Sequence, residues 1–269
     1  MNKHIFQFEL RSYLKSMLTW SISIAALILF FFSFYPVFAD QADLMNAVMQ
    51  KLPPELRAVF GMDNLDMASV LGFFSFIFIF AQLCLAIQAS NYGFGLLSKE
   101  ESELTADFLL SKPVSRLAIF NSKLLAALIS LAVTNVVLWL CSYAAVELFN
   151  GGRTYDRGTF VLLMISTFIF QLFFLGVGML ISLLVKRVRS VTPYALGLGF
   201  GMYVLSAFTG LFDDVALELI TPFKHFDAAY IVASQAFDTR LVILNVAVTV
   251  ISVSVSMWLY MRRDVPAVS

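Results

Sequence analysis

Apolar residues run in six long blocks separated by polar stretches. Each block is about 20 residues or more, the length that carries a helix across the hydrocarbon of a bilayer. They fall at about residues 17–38, 67–92, 117–146, 160–185, 191–212 and 241–260, and predict six transmembrane helices. Ahead of the first block, residues 3–16 place Phe6, Leu10, Tyr13 and Leu14 on one helical face and Lys3, Gln7, Arg11 and Lys15 on another. That is the pattern of a basic amphipathic helix lying in the interface. A signal peptide does not fit, because the first block is about twice the length of an h-region and lacks a small-residue cleavage site.

The longest charged passage lies between the second and third blocks. Glu100, Glu101, Glu103 and Asp107 crowd into little more than two turns, while Leu97, Leu104 and Phe108 share a face at spacings of seven and four. This predicts a short amphipathic helix over about residues 98–111, closed by Lys112 and Pro113. Proline removes a backbone donor and turns its predecessor away from helical angles, so a new segment begins at Val114. Two polar excursions sit on the opposite side: residues 40–66, where short surface helices are expected about Leu44 and Leu56, and residues 213–240, where helical segments are expected on the outer face before the sixth span.

Composition agrees with the block pattern. With 60% hydrophobic and 13% charged residues, too little polar surface remains to cover a soluble globule. The fold expected is an all-α integral membrane protein forming a single domain over residues 1–269. Formal net charge is +0, which offers nothing to a nucleic acid, but the charges are unevenly placed. Twelve of the eighteen basic residues fall on the side that holds both termini and the charged passage, so that side is expected to be cytoplasmic in the cell membrane. Twelve of the eighteen acidic residues fall on the other.

The spans carry polar rather than charged side chains. Gln82, Gln88, Ser90 and Asn91 lie in the second, Asn135 in the third and Gln171 in the fourth. A polar group in lipid is costly and turns toward other helices, so hydrogen bonding between helices is expected, with a pathway-lining role as the alternative. Gly197 and Gly201 form one GxxxG in the fifth span, expected to allow close helix approach. The 28 phenylalanines are expected to face lipid and neighbouring helices. Cys84 and Cys141 sit within apolar blocks and read as small hydrophobes. His4 and His225 fall on opposite sides and read as interfacial side chains. There is no phosphate-cradling GxxxxGK[ST] and no His/Cys cluster. An intramembrane enzyme would need a nucleophile, base or metal set at depth, and the sequence shows none. Any work done must draw on a partner's energy.

These features together, with KEESELTADFLLSKPVSR between spans two and three, are similar to the permease subunits of type 2 ABC transporters, the ABC-2 family. The specific part is Glu100, Glu101 and Thr105, then Phe108 through Arg116, with Lys123 heading the third span. TPFKHFD before span six and RRD near the end resemble the family more weakly. The resemblance makes residues 3–16 an elbow helix and about residues 98–111 a coupling helix docked on a separate ATP-binding subunit, which binds the ATP. It implies a second permease chain, no cofactor of this chain's own, and export as the direction. The docking residues it points to are Glu100, Glu101, Glu103, Leu104, Thr105, Phe108, Leu109, Pro113 and Arg116, with Leu104 and Phe108 as apolar anchors and the glutamates as a polar rim. A multi-pass anchor or sensor that recruits a cytoplasmic partner through the same passage is the alternative.

Overall fold

Asn2 starts the first helix by accepting the backbone N–H groups of His4 and Ile5 on its side chain. Nothing between there and Ser33 breaks the helix, and α1 runs unbroken over Lys3–Phe32. The expected elbow, residues 3–16, is therefore the foot of the first span and not a helix of its own. The stretch contains neither proline nor glycine, so no residue forces a corner. Lys3, Gln7, Arg11 and Lys15 do lie exposed on one side of it.

The computed structural model describes residues 2–53, 56–57, 65–102, 114–185, 188–212 and 215–262. After α1 come α2 (Tyr35–Asp40), α3 (Ala42–Lys51), α4 (Val70–Ser102), α5 (Arg116–Phe149), α6 (Arg157–Leu184) and α7 (Val191–Phe212). Three short helices follow, α8 (Val215–Glu218), α9 (Pro222–His225) and α10 (Ala228–Ser234), and then α11 (Thr239–Arg262). Among the described residues six helices are long and apolar enough to cross a membrane: α1, α4, α5, α6, α7 and α11. The chain is a multi-pass membrane protein with no strand among the described residues. The end where α1 begins and α11 finishes is called basal below, and the other end distal.

The second span departs most from expectation. α4 does not stop near Tyr92 but continues to Ser102, so the first turn of the expected coupling helix is the tail of α4. Gly93 lies within that helix at a close crossing: a Cβ there would lie 2.4 Å from the Leu175 carbonyl oxygen of α6. Residues 103–113, with the remainder of that expected helix, lie outside the described residues. The third span starts at Ser115, whose hydroxyl accepts the Ala118 N–H, and the fourth at Asp156, whose carboxylate accepts both N–H and hydroxyl of Thr159. Those bonds hold the Asp156 carboxyl below its ordinary range.

Helices in lipid gain nothing from hiding apolar surface in one another, so close packing and polar bonds hold the bundle. Phenylalanine fills the distal half: Phe32, Tyr35, Phe73, Phe74 and Phe160 pack ring on ring across α1, α2, α4 and α6. Glycine admits close crossings at Gly178 against Ser90 and Phe94, at Gly176 against α11, and at Gly199 against Ile87. The GxxxG of α7 does not make such a contact within the chain. Gly197 and Gly201 have open space around them, and Gly199, between them, is the one that meets α4. The outer faces of α1, α7 and α11 stay apolar and exposed, as at Ile22, Phe200 and Val250, which suits lipid.

The segment before α11 is not laid on the distal face as expected. Gln82 donates to the Phe226 carbonyl at 3.0 Å, and Thr221 donates to the Met202 carbonyl at 2.9 Å. Phe223 packs against Phe170, Phe174 and Tyr203. Counted at 1.5 Å per residue, Gln82 lies about 18 Å along α4 from Val70, and Met202 is at the middle of α7. The chain from α8 to α10 thus dips into the bundle and returns. His225 is buried at its tip, its ring nitrogens 3.2 Å from the Leu219 carbonyl and 3.3 Å from the Asn245 amide nitrogen, and is not an interfacial residue.

Candidate functional site

At the basal end, the first turns of α5 gather contacts from three other helices. Arg116 places a guanidinium nitrogen 3.5 Å from the Tyr260 and Met261 carbonyls, where a cation complements the C-terminal end of α11. Phe120 packs on Tyr260. Ser122 accepts the Asn2 N–H at 2.8 Å, fastening the start of α1. Lys123 reaches both ways: its ammonium donates to the Leu96 carbonyl of α4 at 3.0 Å and lies 3.3 Å from the Glu9 carboxylate of α1.

Lys123 and Glu9 are 2% and 7% exposed, so this is a buried ion pair and not a solvated one. Such a pair is costly to desolvate and costlier to break on one side. Its effect is geometric, because it fixes the feet of α1, α4 and α5 relative to each other. The chain between α4 and α5 is residues 103–115, so a push on that connection enters a clamped group of helices. Glu9 escapes a reading that follows only the basic stripe. Its signal is nevertheless present: an acidic residue three after Phe6 and four before Tyr13 lies on the apolar face.

Halfway along the bundle the polar span residues meet. The Gln88 amide donates to the Thr134 hydroxyl at 2.9 Å, and its oxygen accepts from Gln171 at 3.2 Å. Asn135 donates to the Gln171 oxygen and accepts from the Thr167 hydroxyl at 2.6 Å, and Trp139 donates to Thr167 at 3.2 Å. The ladder ties α4, α5 and α6, and its Gln and Asn side chains are closed off from the outside of the chain. Gln88, Asn135 and Gln171 thus hydrogen-bond between helices. Gln82 stands apart and holds the dipping segment, while Asn91 is half-buried and joins neither set. Thr134, Thr167 and Trp139 were not singled out by the sequence. The spacing of Ser130 and Thr134 by four, like that of Thr167 and Gln171, is a sign of the two threonines.

Of the docking residues expected between spans two and three, Glu100 and Glu101 fall on the backbone of the last turn of α4. Glu103, Leu104, Thr105, Phe108, Leu109 and Pro113 lie outside the described residues. Arg116 is the one whose side chain is placed, and it grips α11. Among the described residues no group of three or more His, Cys, Asp or Glu side chains is set to hold a metal.

The family model described as ABC-2 family transporter protein matches residues 4–265, nearly the full chain. The chain belongs to the ABC-2 transporter family. It is the membrane component of such a transporter, a permease with transmembrane helices, and the match spans the basal clamp, the polar ladder and the dipping segment alike. No curated relative matches the chain. At the distal rim of this permease, Arg153 pairs with Asp40 and lies over the Tyr35 ring, and Tyr155 donates to Glu147 at 2.8 Å. Burial, then that carboxylate neighbour, pushes the Tyr155 hydroxyl up to about 12.

Proposed function

We propose that this permease moves its cargo outward across the cell membrane on ATP hydrolysed by a separate ATP-binding subunit. In this reading the subunit docks on the connection between α4 and α5, and two permease chains share the assembly. The observation that carries it is the basal clamp. One buried ion pair and its neighbours lock α1, α4, α5 and α11 together beside that connection, so a displacement there is passed to the bundle as a rigid-body movement. Leu104 and Phe108 act as apolar anchors, and Glu100, Glu101 and Glu103 form the polar rim. Both termini are cytoplasmic, following the basic residues of the basal end.

The test is purification in mild detergent from cells that also make the cognate ATP-binding subunit. Leu104→Asp with Phe108→Asp is expected to cut recovery of that subunit at least tenfold while the permease keeps its own yield and melting temperature. Undiminished recovery removes the coupling role from this connection. Capture through the same segment of a partner that lacks an ATP-binding cassette supports the anchor or sensor reading instead.

A further inference from the structure

Lys224 and Asp227 stand at the tip of the dipping segment, their ammonium and carboxylate 3.1 Å apart. The residues between and beside them fix their depth. Phe226 is bonded to Gln82, Phe223 is wedged between α6 and α7, and His225 lies against Phe173, about 24 Å along α6 from Arg157. At that depth both charged side chains are still 24% and 27% exposed. This chain therefore brings two formal charges to the middle of a membrane bundle and does not cover them. Lipid cannot cover them cheaply, since hydrocarbon offers a charged group neither hydrogen bonds nor a counter-charge.

A protein partner would need charges or dipoles of its own to cover them, whereas water needs nothing more. A second observation points the same way. Asn245, fully buried on α11 and in contact with His225, keeps an amide oxygen without a partner among the described residues. Polar capacity at this depth exceeds what the helices satisfy. The chain leaving the tip is polar too, with Ser234, Gln235 and Arg240 exposed.

We propose that Lys224 and Asp227 form the floor of a water-filled cleft that opens at the distal end and reaches the middle of the bundle. Asp227 sets its charge, one carboxylate oxygen holding Lys224 and the other accepting the N–H groups of Ala229 and Tyr230. On the transport reading above, on which this last step rests, the cleft is the distal half of the cargo's route and receives a polar or charged group.

Replacing Cys84 and Cys141 by serine provides a background for single cysteines read with a charged, membrane-impermeant methanethiosulfonate, which needs a thiolate in water. Tyr230→Cys, one turn from Asp227 and exposed, is expected to react within about tenfold of the rate at Gly152→Cys on the distal rim, and from the same side of the membrane. Val250→Cys, on the apolar face of α11, is expected to stay silent. Adding Asp227→Asn, which keeps the helix cap, is expected to lower the ratio of cationic to anionic reagent rates several-fold at position 230. A Tyr230→Cys as silent as Val250→Cys, labelling from the side opposite Gly152→Cys, or an unmoved charge ratio overturns the cleft. None of these readings needs an ATP-binding subunit, so the cleft and the coupling role fail separately, and the side on which Gly152→Cys reacts reports the orientation by itself.

Discussion

Lys123→Ala is expected to destabilise the permease by about 3–5 kcal/mol, the cost of leaving a buried charge without its partner. The variant strands Glu9, which is 7% exposed, and frees the Leu96 carbonyl at the foot of α4. The double variant Glu9→Gln with Lys123→Met removes both charges at similar volume and is expected to recover most of that loss, because a neutral pair avoids the desolvation cost. Lys15→Ala, an exposed control on the helix that carries Glu9, is expected to stay within about 0.5 kcal/mol. Unfolding in detergent, followed on purified variants, checks all three. A Lys123→Ala as stable as the Lys15→Ala control would mean that the pair clamps nothing.

Gln171→Leu carries the second large effect. Gln171 is the hub of the mid-bundle ladder, donating to Gln88 and accepting from Asn135, with a longer contact to the Leu85 carbonyl. Bonds between membrane helices average about 0.6 kcal/mol each, and the partners left idle cost more than the bonds returned, so a total of about 1–3 kcal/mol is expected. Ser130→Ala removes only a bond to its own helix, to the Ala126 carbonyl, and is expected to change stability by less than about 0.5 kcal/mol. If Gln171→Leu instead leaves stability untouched and changes what the transporter carries, the residue lines the route and the ladder is not a structural tie.

Both effects turn on polar groups whose placement the sequence only half reveals. Block length made the six spans plain, and Pro113 put the start of α5 close to where it lies. The positions of Gln88, Asn135 and Gln171 in three different spans marked them for hydrogen bonding between helices. What local pattern misses is cancellation at a distance. Nothing local marks Gly93 as the place where α6 presses closest on α4, or pairs Glu9 with Lys123, 114 residues away. The dipping segment was least legible, because its polar residues are what a surface loop would also show. Contacts with distant helices place it inside: the bonds from Gln82 and to Met202, and the wedge of Phe223 among three rings. The coupling residues 103–113 remain a reading from pattern and resemblance.

The connection between α4 and α5 offers the most direct test of the docking. A photo-crosslinking residue in place of Leu104, with a second variant carrying it in place of Gly152, reports which end of the permease the ATP-binding subunit touches in cells. An adduct with that subunit is expected from position 104 and none from position 152. An adduct from position 152, or none from position 104 while the subunit still co-purifies, would contradict the docking.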